Sequence, residues 1–139
     1  MDRELIARKL DSLDRCLRRI DAKRPAFAED LAADIDCQDI LSVNLERAVQ
    51  LCVDMGAHML VSVGKPPPET MGDVFTLLDE AGVIQGNLAL AMRMAVGFRN
   101  LSVHAYDRVD WARVFEIVHH RLDDFRQFAA AVAGHSDLP

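Results

Sequence analysis

The sequence predicts an all-α fold, an antiparallel four-helix bundle with one or two short extra helices, and three observations carry that prediction. Glycine and proline are sparse, 7 and 5 in 139 residues, and both are the residues that interrupt helices most strongly. Apolar residues recur at steps of three and four over long stretches, which is the period of one helical face. Residues that stop or start helices fall between those stretches, and no segment alternates polar and apolar as a half-buried strand does. Half of the residues are apolar, enough to build a core, and the length fits one domain. We expect that domain over residues 1–134, with a short loose tail at 135–139.

In chain order, Ile6, Leu10, Leu13, Leu17 and Ile20 form the first helical seam, and Arg24-Pro25 ends it. The residue before a proline is pushed out of the helical region. A short helical piece fits 26–34. Asp36 is the expected N-cap of a long helix over 36–63, because its carboxylate can accept from an unpaired amide of the first turn. Gly64 and Pro66-Pro67-Pro68 stop that helix. It is apolar around most of its circumference, with a narrow polar stripe of Glu46, Arg47, Gln50, Asp54 and His58. Glu69 and Thr70 open a short helix over about 70–81 that Gly82 ends. A second very apolar helix spans 84–104. After Asp110, the seam Trp111, Phe115, Val118, Leu122, Phe125, Ala129 and Val132 predicts one continuous last helix. Two helices this apolar in so small a bundle predict a surface for a second copy to cover.

Composition narrows the function. No apolar run reaches the length of a membrane span, and the charged start Met-Asp-Arg-Glu-Leu reads as helix rather than signal peptide. Cys16, Cys37 and Cys52 are odd in number and widely spaced, as expected for reduced thiols of a cytosolic protein. The net charge is −6, yet residues 1–24 carry eight basic and five acidic groups. Strong non-specific binding to nucleic acid is not expected from such a balance, whereas a locally basic site is compatible with it. Glu116 and His119 match one element of a di-iron bundle, which needs two such elements and further carboxylates, so a surface pair is the simpler reading. Asp54 and His58 lie one turn apart and are cleft candidates, or members of a solvated stripe.

One segment concentrates chemistry. Residues 97–106 read Gly-Phe-Arg-Asn-Leu-Ser-Val-His-Ala-Tyr. Arg99 offers a planar, permanent cation to phosphate oxygens, and His104 can exchange protons near neutral pH. Neither needs a metal or a protein nucleophile if the substrate is RNA, whose 2′-hydroxyl attacks. On an ideal helix, Asn100 and His104 share a face, as do Arg99 and Tyr106. Arg99 and His104 stand about 140° apart around the axis, so they converge only if the helix ends or distorts, or if two subunits contribute. The structural alternative is that Arg99 and Asn100 cap the helix end while His104 packs between helices.

Phe98 through Tyr106 resembles the Arg-x4-His-x-Tyr signature of the HepT group of HEPN-superfamily toxins. Asn44 through His58, Pro68 through Ile84, and Asp110-Trp111 resemble the neighbouring segments of that family in order and spacing. The resemblance implies the helical bundle already described, here a HEPN-like one, and a cytoplasmic homodimer whose paired motifs line a cleft. It implies metal-independent endoribonuclease activity without cofactors, with 2′,3′-cyclic phosphate products. Arg99 and His104 are then the catalytic pair, with Asn100 in support. It further implies a partner, a minimal nucleotidyltransferase antitoxin of the MntA kind, that silences the toxin by AMPylation of Tyr106. The other function compatible with the likeness is a non-catalytic HEPN module that binds a nucleotidyltransferase or a nucleotide.

Overall fold

The computed structural model describes residues 2–136. Helix α1 spans Arg3–Lys23, α2 Ala28–Ala33, α3 Ile35–Ser62, α4 Met71–Glu80, α5 Gly86–His104, α6 Trp111–His120 and α7 Leu122–His135, with a 3₁₀ turn at Tyr106–Arg108. No strand occurs among the described residues. Cross-chain contacts fix the relative directions. Lys9 meets Asp54 and the Cys37 thiol meets the Lys23 carbonyl, so α1 and α3 run antiparallel. Arg99 meets Gln50 and Ser102 meets Glu46, so α3 and α5 do as well. Helix α3 is the centre, packed against α1, α2, α4, α5 and α7. Its Leu41, Leu45, Ala48, Cys52, Met55 and Met59 are fully enclosed. This accounts for its nearly all-round apolar character.

Most boundaries follow from local chemistry. Asp2 accepts from the Leu5 amide at 3.0 Å, and Arg24 leaves α1 in extended backbone ahead of Pro25. Thr70 caps α4 through the Asp73 amide. Gly82, at φ +76°, takes the left-handed conformation after α4, and Val83 then reaches back to the Leu78 carbonyl at 2.9 Å, as in a Schellman closure. Helices α3 and α4 approach closely at Gly56, where a Cβ would run into Val74 Cγ1.

Three expectations need correction. Asp34, not Asp36, caps α3: it is extended, and its Oδ1 accepts from the Cys37 amide at 3.1 Å. The last helix is broken at Arg121, with φ −120° and ψ 2°. Helix α6 rests on α2, whereas α7 packs on α3 and α5, and one straight rod cannot meet both. At the break, Arg24 Nη1 donates to the Val118 carbonyl at 2.8 Å, so this end of α6 is held by a side chain rather than by a further turn. The expected loose tail also starts too early. Helix α7 continues to His135, and the buried Ser136 donates to the Val132 carbonyl at 2.8 Å; residues 137–139 lie outside the described residues. No described helix is long and apolar enough to cross a membrane.

Cys16 and Cys52 are buried free thiols, and Cys37 is half-buried. Burial pushes all three thiols up from their ordinary range, Cys52 most strongly. They stay protonated near neutral pH, which suits packing rather than nucleophilic chemistry.

Candidate active site at the end of α5

Helix α5 shows two unlike faces. The inward face sets Met92, Val96 and Ser102 against the core. The outward face carries Leu90, Met94 and Leu101, exposed by 53%, 52% and 38%, at helical steps that end on His104. A groove of about 320 Å³ runs beside this stripe, with Met94, Phe98, Leu101, Ile117 and Phe125 among its walls.

Arg99 lies half-buried on the flank of α5. Its Nη2 donates to Gln50 Oε1 at 3.4 Å and its Nη1 to Asn100 Oδ1 at 3.2 Å. Gln50 in turn donates to Asp54 Oδ1 at 2.9 Å, and Lys9 approaches Asp54 Oδ2 at 3.5 Å. A polar chain therefore connects α1, α3 and α5 and orients the guanidinium. Asp54 belongs to it; His58, one turn on, is exposed and has no hydrogen bond to Asp54.

His104 is the last residue of α5, since Ala105 leaves the helical region at φ −146°. It is exposed, and no hydrogen bond or ion pair engages it among the described residues. It does not pack between helices, and Arg99 and Asn100 do not cap the helix end. Helix α5 is unbroken from Arg99 to His104, so the two residues point away from each other within one chain.

Tyr106 departs from the ideal-helix expectation. The helix has ended, and Tyr106 starts the 3₁₀ turn rather than lying above Arg99. Its ring packs edge-on against Trp111, with centroids 5.6 Å apart. Its hydroxyl donates to Asp39 Oδ1 of α3 at 2.8 Å, and its side is 40% exposed. Burial raises the phenol above its ordinary range, the Asp39 hydrogen bond raises it further, and the nearby Ser42 hydroxyl partly opposes them. The phenol is thus neutral at physiological pH, with a carboxylate placed to receive its proton.

Asp39, Gln50 and Ser102 were not legible as site residues. Gln50 and Glu46 stand in the polar stripe of α3, but nothing in one sequence tells which helix the stripe faces. Ser102 is buried, and its Oγ donates to Glu46 Oε1 at 2.5 Å. His119, the metal-motif candidate, is engaged elsewhere: its Nε2 bonds the Pro25 carbonyl at 2.8 Å, and its ring lies on Phe115. Among the described residues, no three His, Cys, Asp or Glu side chains cluster as metal ligands would.

Comparison with known proteins now adds to this geometry. The family model described as ribonuclease HepT-like matches residues 11–132. The mRNA nuclease HepT of Shewanella oneidensis is 30% identical over 125 residues, which cover 90% of this chain and 93% of that protein. The tri-AMPylated HEPN toxin of Shewanella oneidensis, solved in complex with its MNT antitoxin, superposes with a TM-score of 0.85 at 29% identity, covering 96% of this chain and 98% of the other. A toxin–antitoxin crystal structure with AMP-PNP gives a TM-score of 0.89 at 28% identity, covering 94% and 98%. The expected family and helical architecture agree with these relatives. On the extent of the family match and of the identity, the chain belongs to the ribonuclease HepT-like family.

Proposed function

We propose that this chain is the cytoplasmic toxin of a toxin–antitoxin pair, a homodimeric, metal-independent endoribonuclease that uses Arg99 and His104 and is silenced by AMPylation of Tyr106. The observation that carries the reading is the exposed end of α5. An oriented guanidinium, an unengaged imidazole and a half-exposed tyrosine follow one another there, in a chain similar over 90% of its length to an mRNA nuclease.

The chemistry balances without a protein nucleophile. The RNA 2′-oxygen attacks the adjacent phosphorus as His104 removes its proton. The 5′-oxygen leaves with a proton, which a second imidazole can supply, and the products are a 2′,3′-cyclic phosphate and a 5′-hydroxyl. Arg99 stabilises the charge that builds on the non-bridging oxygens, and Asn100 holds Arg99. Two copies of His104, one from each subunit, would serve as base and acid. Docking the outward face of α5 against a second copy covers Leu90, Met94 and Leu101 and brings the two motifs together, which a single straight helix cannot do.

Silencing uses the same corner. A nucleotidyltransferase antitoxin of the MntA kind presents ATP. The Tyr106 oxygen attacks the α-phosphorus, pyrophosphate leaves, and the phenolic proton passes to Asp39. The added AMP brings negative charge and bulk next to the groups that receive RNA phosphate.

The test is cleavage of a defined RNA by purified dimer in EDTA, with Arg99→Ala and His104→Ala alongside and the product ends identified. Cleavage by the unsubstituted protein alone, leaving a cyclic phosphate, is the expected result. Failure of unsubstituted protein that mass spectrometry shows to be free of AMP would instead support a non-catalytic module. With the antitoxin and ATP, the mass should rise in whole units of AMP, and Tyr106→Phe should abolish the increase.

A further inference from the structure

The groove between α1 and α3 is the most basic feature outside the α5 end. Arg15 and Arg19 of α1 and Arg47 of α3 line it together with Ser12, Asn44 and Gln50, around about 540 Å³. Arg15 and Arg47 both come close enough to the Cys16 thiol in its wall to act on it electrostatically. All three arginines are exposed. Their neighbours on α1 are neutralised: Arg8 pairs with Glu4, Arg18 with Asp14 and Arg24 with Asp21. No ion pair engages Arg15, Arg19 or Arg47 among the described residues. On a chain of net charge −6, three unneutralised guanidinium groups around one groove are a local reversal of sign.

The groove is also connected to the end of α5. Gln50 lines it and accepts from Arg99 Nη2. Gln50, whose amide also donates to the Asp54 carboxylate, is therefore shared between Arg99 and the groove of Arg15, Arg19 and Arg47. Arg15 and Arg19 lie one helical turn apart, about 6 Å along the axis, which is comparable to the spacing of successive phosphates on an extended strand. No aromatic side chain lines the groove, so no aromatic ring there stacks on a base.

We propose that this groove is a binding track for the phosphodiester backbone of single-stranded RNA, and that it leads the strand to Arg99. The proposal rests on the ribonuclease reading and adds to it where the substrate lies. Contacts of this kind position a strand without reading its sequence, so the track contributes affinity and not base selectivity. With three arginines, the affinity is modest and strongly dependent on salt.

The test uses full-length protein carrying His104→Ala, which keeps the RNA intact, and a fluorescein-labelled single-stranded RNA read by anisotropy over a range of salt concentrations. R15Q/R19Q/R47Q should weaken binding about tenfold or more near 0.1 M salt. It should also flatten the slope of log K against log salt by about 2, since each phosphate contact on a single strand contributes about 0.7. R15K/R19K/R47K, which keeps the charges, should restore the slope. In cleavage-competent protein, the glutamine variant should raise KM and leave kcat unchanged. Equal affinity and slope in the glutamine variant would overturn the track, and so would a loss that lysine does not rescue. Unchanged RNA binding with a lost antitoxin complex would also overturn it and assign the face to a protein. Two further outcomes separate the proposals. Cleavage with an unchanged KM in the glutamine variant rejects the track and leaves the ribonuclease standing. Groove-dependent binding together with no cleavage by the otherwise unsubstituted protein rejects the ribonuclease and leaves the track standing.

Discussion

The two faces of α5 are built from one stretch of chain and follow opposite rules. The inward face is satisfied: Met92 and Val96 are enclosed, and Ser102 bonds Glu46. The outward face is left open, with Leu90, Met94, Leu101 and His104 exposed to solvent. Stability is expected to reside in the first face, and chemistry and assembly in the second.

Substitutions on the two faces should therefore fail in different ways. The largest effect is expected of His104→Ala. It should lower RNA cleavage by roughly 10²–10⁴-fold, the usual contribution of positioned proton transfer, while the melting temperature stays close to the parent's. Met92→Ala should show the reverse, a loss of about 2–5 kcal/mol of stability from the cavity it opens, measured by denaturant titration, with activity falling only as the folded fraction falls. A melting temperature lowered as far by His104→Ala as by Met92→Ala would erase the distinction.

Leu90→Glu with Met94→Glu tests the open face as an assembly surface. The helical circular dichroism spectrum should persist, while sedimentation shows a smaller species and cleavage declines with it. A dimer that survives both charges would move the subunit contact off this face. Ser102→Ala should cost about 1.5–3 kcal/mol, the scale of one lost hydrogen bond to a charged acceptor. Denaturant titration would read it.

The smallest effect is the most selective. Tyr106 is the single tyrosine of the chain, so phenolate absorbance reports it alone. Burial and then the Asp39 hydrogen bond raise its pKa above 10.0, and the ultraviolet titration midpoint should lie above that value. Asp39→Asn should move the midpoint back toward it. The sign for stability follows from linkage. The folded state holds the phenolic proton more tightly, so this contribution is intact below the unfolded pKa and is lost as pH rises through the folded one.

Much of the fold was legible because its causes are local. Arg24-Pro25, Thr70 and Gly82 act through backbone sterics or through one side chain and a nearby amide, and each ended or began a helix where the sequence placed it. The Arg99-x4-His104-x-Tyr106 set was legible as residue types in order. The break at Arg121 was not, because the apolar steps run through it without interruption. It exists because α6 and α7 have different neighbours and because Arg24, far off in sequence, takes the Val118 carbonyl.

The sequence by itself determined the helical class, the apolar seams, most of the helix ends and the order of the residue types Arg99, His104 and Tyr106. Those follow from periodicity, from local sterics and from side-chain chemistry, all of which a linear chain carries. Only the tertiary structure decided that Gln50 orients Arg99, that Asp39 receives the Tyr106 hydroxyl, and that Arg15, Arg19 and Arg47 share one groove. These depend on which face of α3 meets α1 and which meets α5, a choice set by packing the whole apolar core at once rather than by any short segment.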